Sequence, residues 1–198
     1  MNRSLKCDVA QHLSPKEWGV MEVLLRMSRG GTTTLCFDGR MIAGKFGKAF
    51  KSGIYRSIAE LEKLGWLEPI NINRGEKRAH AAGGSPHYVK REYRVLNHEE
   101  WVAQYGTTKC NDQYDGITES NALTSCPLGV LLFLMHETTH GFGEVFGGRV
   151  TTYQQLAEAI GCPVRSVRRY VGVLRKDGYV ILQRASKGLV FSIPKLER

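Results

Sequence analysis

The sequence predicts an α+β fold, mainly helical with small β-hairpins, arranged as two similar units in tandem. Over residues 152–193 the apolar pattern keeps a helical period as far as Gly178 and then alternates as strands do. A stretch of matching pattern lies 113 positions earlier. Between the two, residues 107–125 lose hydrophobic content and turn acidic, as a linker does. The boundaries that follow are a first unit over 1–106, a linker over 107–126 and a second unit over 127–198.

The second unit is the more regular. Leu128, Leu131, Leu132 and Met135 give its first helix an apolar stripe over 127–136, and residues 149–151 are expected to form a short strand. Thr152 is a good N-cap for a helix bearing Leu156, Ala157 and Ile160, and Gly161 tolerates the positive φ of a helix end. Pro163 then suits the first position of another helix, where a missing N–H costs nothing. In that helix Val164, Val167, Val171 and Leu174 make one stripe, and Arg165, Arg168, Arg169 and Arg175 point elsewhere. Strands are expected over 179–183 and 189–193, joined by a polar turn over 184–188.

In the first unit Ser14 and Pro15 begin a helix carrying Trp18, Met21, Leu24 and Leu25, which ends near Met27. A short strand follows over 32–37, and Asp38 can cap a helix with Met41, Ile42 and Ala43 that stops near Gly47. The next segment is basic: Lys48, Lys51, Ser52, Tyr55 and Arg56 are exposed, while Ile54, Ile58 and Leu61 form the buried side. Gly65 ends that helix and a strand runs over 66–72. A second strand over 88–96 alternates, but pattern alone does not say which face is inward. The polar, glycine-rich, basic residues 73–86 join the pair as a long wing, and a short helix over 98–105 closes the unit. Sliding the chain by 113 lays Ile54 on Val167, Arg56 on Arg169, Ile58 on Val171, Leu61 on Leu174 and Gly65 on Gly178.

Composition narrows the partners. The net charge is +9, with +6 in the first unit, −2 in the linker and +5 in the second, so both units are suited to a polyanion. No apolar run reaches the roughly 18 residues of a membrane span, and the first residues lack the apolar core of a signal peptide. A cytoplasmic, nucleoid-associated protein is expected. Cys7, Cys36, Cys110, Cys126 and Cys162 are scattered without a C-x-x-C pair, which suits free thiols.

Residues 136–140 spell H-E-x-x-H, which on a helix places two histidines on one face as zinc ligands with the glutamate as general base. His136 and His140 are therefore the candidate metal ligands, with Glu137 between them. The third ligand is missing: a metzincin would carry histidine at 146, where this chain has Phe146. A zinc-dependent hydrolase is the remote alternative, and the expectation is no enzyme, no metal and no cofactor.

The stretches LAEAIGCPVRSVRRYVGVLRKDGYV and IAGKFGKAFKSGIYRSIAELEKLGWL are similar to the helix-turn-helix and first wing strand of many regulators. With both copies laid out, the chain resembles bacterial, phage and plasmid tandem winged helix-turn-helix DNA-binding proteins over about residues 14–98 and 127–194. The resemblance implies double-stranded DNA as partner, with the second helix of each unit in the major groove. Arg165, Ser166, Arg168 and Arg169 would read bases in one unit and Lys51, Ser52, Tyr55 and Arg56 in the other, with Lys48 a further DNA-binding residue. Arg74, Lys77, Arg78 and His80 in the long wing, and Arg184 and Lys187 in the short one, would meet phosphates or a minor groove. A sequence-specific transcription regulator is the expected function. A replication initiator or origin-binding protein is the alternative, although the chain is short for one and shows no domain that would recruit a helicase. Either unit could instead bind a protein partner or a second copy.

Overall fold

The computed structural model describes residues 13–27, 34–37, 41, 46, 53–71, 91–96, 123–139 and 141–195. Its fold is α+β, with five helices and two three-stranded antiparallel sheets among the described residues. The first half holds α1 (Pro15–Met27), β1 (Thr34–Phe37), α2 (Ile54–Lys63), β2 (Leu67–Asn71) and β3 (Arg91–Val95). The second holds α3 (Ser125–His136), β4 (Gly143–Glu144), a 3-10 turn (Val145–Gly148), α4 (Tyr153–Ile160), α5 (Val164–Lys176), β5 (Ile181–Ala185) and β6 (Gly188–Ile193). Of the expected helix at 38–47 only Met41, which is helical, and Phe46 are described; the wing at 73–86, the helix at 98–105 and most of the linker fall outside the described residues.

The two sheets share one topology. Their strand orders are β1-β3-β2 and β4-β6-β5, so in each the last strand sits in the middle. β3 buries Tyr93 and Val95 and exposes Arg94, which settles its inward face; the Tyr93 ring stacks on Phe37 at 5.1 Å. In β6 the buried pair is Phe191 and Ile193. Pro69 is tolerated because β2 is an edge strand, and the register shifts between Pro69 and Asn71.

The ends of α2 and α5 match group for group. In α2 the Gly65 N–H donates to Glu62 O and the Trp66 N–H to Leu61 O; in α5 the Gly178 N–H donates to Arg175 O and the Tyr179 N–H to Leu174 O. This Schellman closure needs a left-handed residue, supplied by Gly65 at φ +78° and Gly178 at φ +79°. At the start of α4 the Gln155 N–H donates to Thr152 Oγ1 at 3.2 Å and the Thr152 N–H to Gln155 Oε1 at 2.9 Å, a full capping box.

Several boundaries differ from the sequence reading. Pro163 has extended ψ and stands at the cap, one residue before α5. The hairpin turn narrows to Ser186 and Lys187, because Arg184 pairs with Leu189 and Ala185 with Gly188. The strand expected at 149–151 is instead β4 at 143–144. Phe146, Gly147 and Gly148 all take positive φ and bend the chain away, so only Thr151 rejoins, bridging Leu189 with bonds of 2.8 and 3.0 Å. α3 starts at Ser125 and buries almost every residue from there to Met135, where a single stripe was expected. Apolar all round, it is a core helix, too short to cross a membrane; among the described residues no helix is long and apolar enough to do so.

What surrounds α3 explains that composition. It lies between α1 and α5, and the two halves share one hydrophobic core. α1 and α3 cross backbone to backbone near their N-terminal turns. A Cβ on Gly19 would overlap the Ser125 carbonyl, and one on Gly129 would overlap the Pro15 carbonyl. Trp18 meets Phe133 edge-on beside the crossing, at 6.1 Å.

Two glycine substitutions should therefore have opposite signs. Gly129→Ala pushes a methyl into backbone and should lower stability by about 1–3 kcal/mol. Gly172→Ala, on the open side of α5 with nothing within 4 Å, should raise it by about 0.5–1 kcal/mol. Urea midpoints of the two variants against the parent check both; a neutral Gly129→Ala would mean the helices do not touch there.

Candidate nucleic-acid interface

α5 owes its position to its apolar stripe: Val167, Val171 and Leu174 are fully buried, and Val164 is half-buried. Arg165, Arg168 and Arg169 are consequently exposed, with Ser166 partly so. The turn that delivers α5 runs from left-handed Gly161 through Cys162 to Pro163, and the Cys162 N–H donates to Ala157 O at 3.0 Å.

Two of these arginines rest on aromatic rings. The Arg168 guanidinium lies 5.3 Å from the centre of the Tyr153 ring, which meets Phe191 edge-on at 6.2 Å. Arg169 lies 4.9 Å over Tyr170 and donates from Nη2 to Tyr170 Oη at 3.0 Å. Both arrangements limit the rotamers of a flexible side chain while leaving its charge at the surface. Burial, then the hydrogen bond with Cys126, push the Tyr170 phenol up, and the Arg169 charge opposes them. Burial first and Cys126 second push the Cys162 thiol up as well, which keeps it a poor nucleophile at neutral pH.

Arg184 and Lys187 are exposed on the β5–β6 hairpin, at the end of a strand and in the turn. Arg56 is exposed on α2, and Tyr55 is half-buried beside it. Lys48, Lys51, Ser52, Arg74, Lys77, Arg78 and His80 lie outside the described residues. Gly53 is the cap of α2 and Ile54 its first residue, whereas their counterparts Ser166 and Val167 lie inside α5.

The H-E-x-x-H segment does not have the helical geometry that a zinc site requires. α3 ends at His136, and Glu137 is its cap, donating its N–H to Phe133 O at 3.1 Å. Thr138 turns the chain off the helix, donating from Oγ1 to Met135 O at 2.6 Å. Two histidines four apart share a face only if the helix continues between them, and His140 itself is outside the described residues. Among the described residues no group of three His, Cys, Asp or Glu could hold a metal. Phe146, where a third histidine would stand, packs its ring against Phe133 at 6.2 Å.

Sequence reasoning missed four residues that position this surface: Tyr153 and Tyr170, on which the arginines rest, and Gly19 and Gly129 at the crossing. A signal for the glycines was present. Leu-Ser-x4-Gly-Val at 13–20 recurs as Leu-Thr-x4-Gly-Val at 123–130, displaced by 110.

Tyr170→Phe removes the acceptor for Arg169 while keeping the ring. It should lower stability by about 0.5–1.5 kcal/mol without changing helix content. Unfolding followed by far-UV circular dichroism checks this, and an unchanged midpoint would show that the linkage carries no load.

Compared with protein-family models, curated proteins and solved structures, the chain matches none. The arrangement of its own side chains is the ground on which its function can be assigned.

Proposed function

We propose that this chain binds double-stranded DNA in a sequence-specific manner, as a tandem winged helix-turn-helix protein that regulates transcription by occupying its site. The observation that carries the reading is α5: a helix delivered by a tight turn, buried along its valines, with Arg165, Arg168 and Arg169 exposed on the other side. A helix fits the major groove of B-DNA, where an arginine can donate two hydrogen bonds to guanine O6 and N7. The β5–β6 hairpin supports the reading as a wing whose Arg184 and Lys187 would meet phosphates. The net charge of +9 supplies the long-range attraction. Phosphate contacts would give most of the affinity and α5 the discrimination.

The test is selection of bound duplexes from a random library at a fixed salt concentration, followed by titration of the selected site. Replacing two base-reading arginines, Arg168→Ala with Arg169→Ala, should weaken specific binding about 100-fold with the unfolding midpoint little changed. Parent-like affinity in a folded double variant removes α5 from the interface.

The wing should behave differently. Arg184→Ala with Lys187→Ala should weaken binding to every duplex alike and reduce the slope of log affinity against log salt by about 2, roughly 1 for each lost phosphate contact. A loss confined to one sequence would mean that the hairpin reads bases.

A further inference from the structure

The crossing of α1 and α3 is reciprocal. The Leu-Ser/Thr-x4-Gly-Val repeat equates Pro15 with Ser125 and Gly19 with Gly129. In the fold, Gly19 lies against the carbonyl of Ser125, and Gly129 against the carbonyl of Pro15. Contact of residue i with j, answered by contact of j with i, is the signature of an isologous interface about a two-fold axis. Here both sides belong to one chain. The buried lead-in residues Leu13 and Leu123 obey the same displacement.

The helix that follows in each half packs on its own partner in this crossing, α2 on α1 and α5 on α3. Ser57 Oγ donates to Glu17 Oε1 at 3.0 Å, tying α2 to the first turn of α1. Tyr170, which is 113 positions after Ser57 and stands on α5, lies beside Cys126 in the first turn of α3. The sheets repeat one strand order as well. A rotation that exchanges α1 with α3 therefore carries α2 approximately onto α5.

We infer that the DNA site of this chain consists of two inverted, unequal half-sites, one for α2 and one for α5. The inference rests on the DNA-binding reading above. A two-fold that maps one half-site onto another on the same duplex must lie across the duplex axis, so it reverses strand direction; direct repeats require a translation, which reciprocal contacts exclude. Palindromy in the site mirrors two-fold symmetry in the protein. The half-sites are unequal because equivalent positions of the two helices differ: Tyr55 of α2 stands where α5 has Arg168, and Glu62 where it has Arg175.

Half-site orientation can be read directly with the full chain on the duplex selected above. A photo-cross-linking residue is placed in turn at positions 168 and 172 of α5 and at the equivalent positions 55 and 59 of α2, and the cross-linked bases are mapped. The base order from 168 to 172 should run opposite along the duplex to the order from 55 to 59. Replacing the bases cross-linked from α5 should cost about tenfold or more in affinity and leave the other half-site's cross-links in place. The same order in both units, or cross-links from one unit only, overturns the inference and leaves DNA binding standing. If the library yields no enriched duplex, the DNA reading fails and this inference fails with it.

Discussion

The backbone contact between α1 and α3 is the constraint on which the rest of the structure depends. Helix axes normally stand 8–10 Å apart because side chains separate them. Gly19 and Gly129 remove those side chains at the crossing, at an intrinsic cost of about 0.5–1 kcal/mol each in a helix interior. Close approach allows Trp18, Val20, Leu128 and Val130 to become almost fully buried around the crossing. Burying a large apolar side chain is worth about 1.5–3 kcal/mol, so the crossing outweighs its helix penalty several-fold. One consequence concerns the units themselves. α3 is apolar on every side and lies between α1 and α5, so cutting the chain between the halves would expose a core helix. The two halves repeat one topology, yet they share one core.

The parts of this arrangement that depend on local pattern were legible in the sequence. The stripe of Val167, Val171 and Leu174, its counterpart in Ile54, Ile58 and Leu61, the helix-ending glycines at 65 and 178 and the positive φ at Gly161 all follow from spacing, and all are found where spacing puts them. The capping box at Thr152 is equally local. What was not legible depends on contacts between distant segments. Nothing near Gly19 says that it meets Ser125, and the repeat that could have said so is displaced by 110, whereas α2 and α5 repeat at 113. A single offset therefore aligned the second helices and left the first helices unmatched. H-E-x-x-H shows the converse error, a local motif whose chemistry presumes a helix that tertiary structure ends at its first residue.

Among the proposed reading residues, the aromatic rings add something that charge alone does not. An arginine free in solution samples many rotamers, and ordering one on binding costs about 0.5–1.5 kcal/mol. Arg168 over Tyr153 and Arg169 over Tyr170 have part of that freedom removed in advance. The rings are themselves packed, Tyr153 edge-on to Phe191 of the sheet and Tyr170 half-buried beside Cys126 of α3. The surface that would meet a groove is thus referred through two layers to the core. By contrast, the exposed Arg94–Glu68 pair, at 2.9 Å across β2 and β3, sits with both partners about half in solvent and adds little, as surface pairs do.

A symmetric crossing within one chain also separates two properties that a homodimer must combine. Two identical subunits meeting about a two-fold present identical reading helices, and their association depends on concentration. Covalent continuity makes the second encounter intramolecular, and it frees the two helices to differ. The chain uses that freedom unevenly. Residues that make the crossing keep the repeat, with Leu, Ser or Thr, Gly and Val at matching places, whereas reading positions diverge, Ser52 against Arg165 and Tyr55 against Arg168. Arg56 and Arg169 are the exception, equivalent and both exposed. Under the proposed function this division has a direct meaning. The matched residues hold the half-sites in one geometry, the shared arginine would serve a contact common to both, and the divergent positions would make the two halves of the site different sequences.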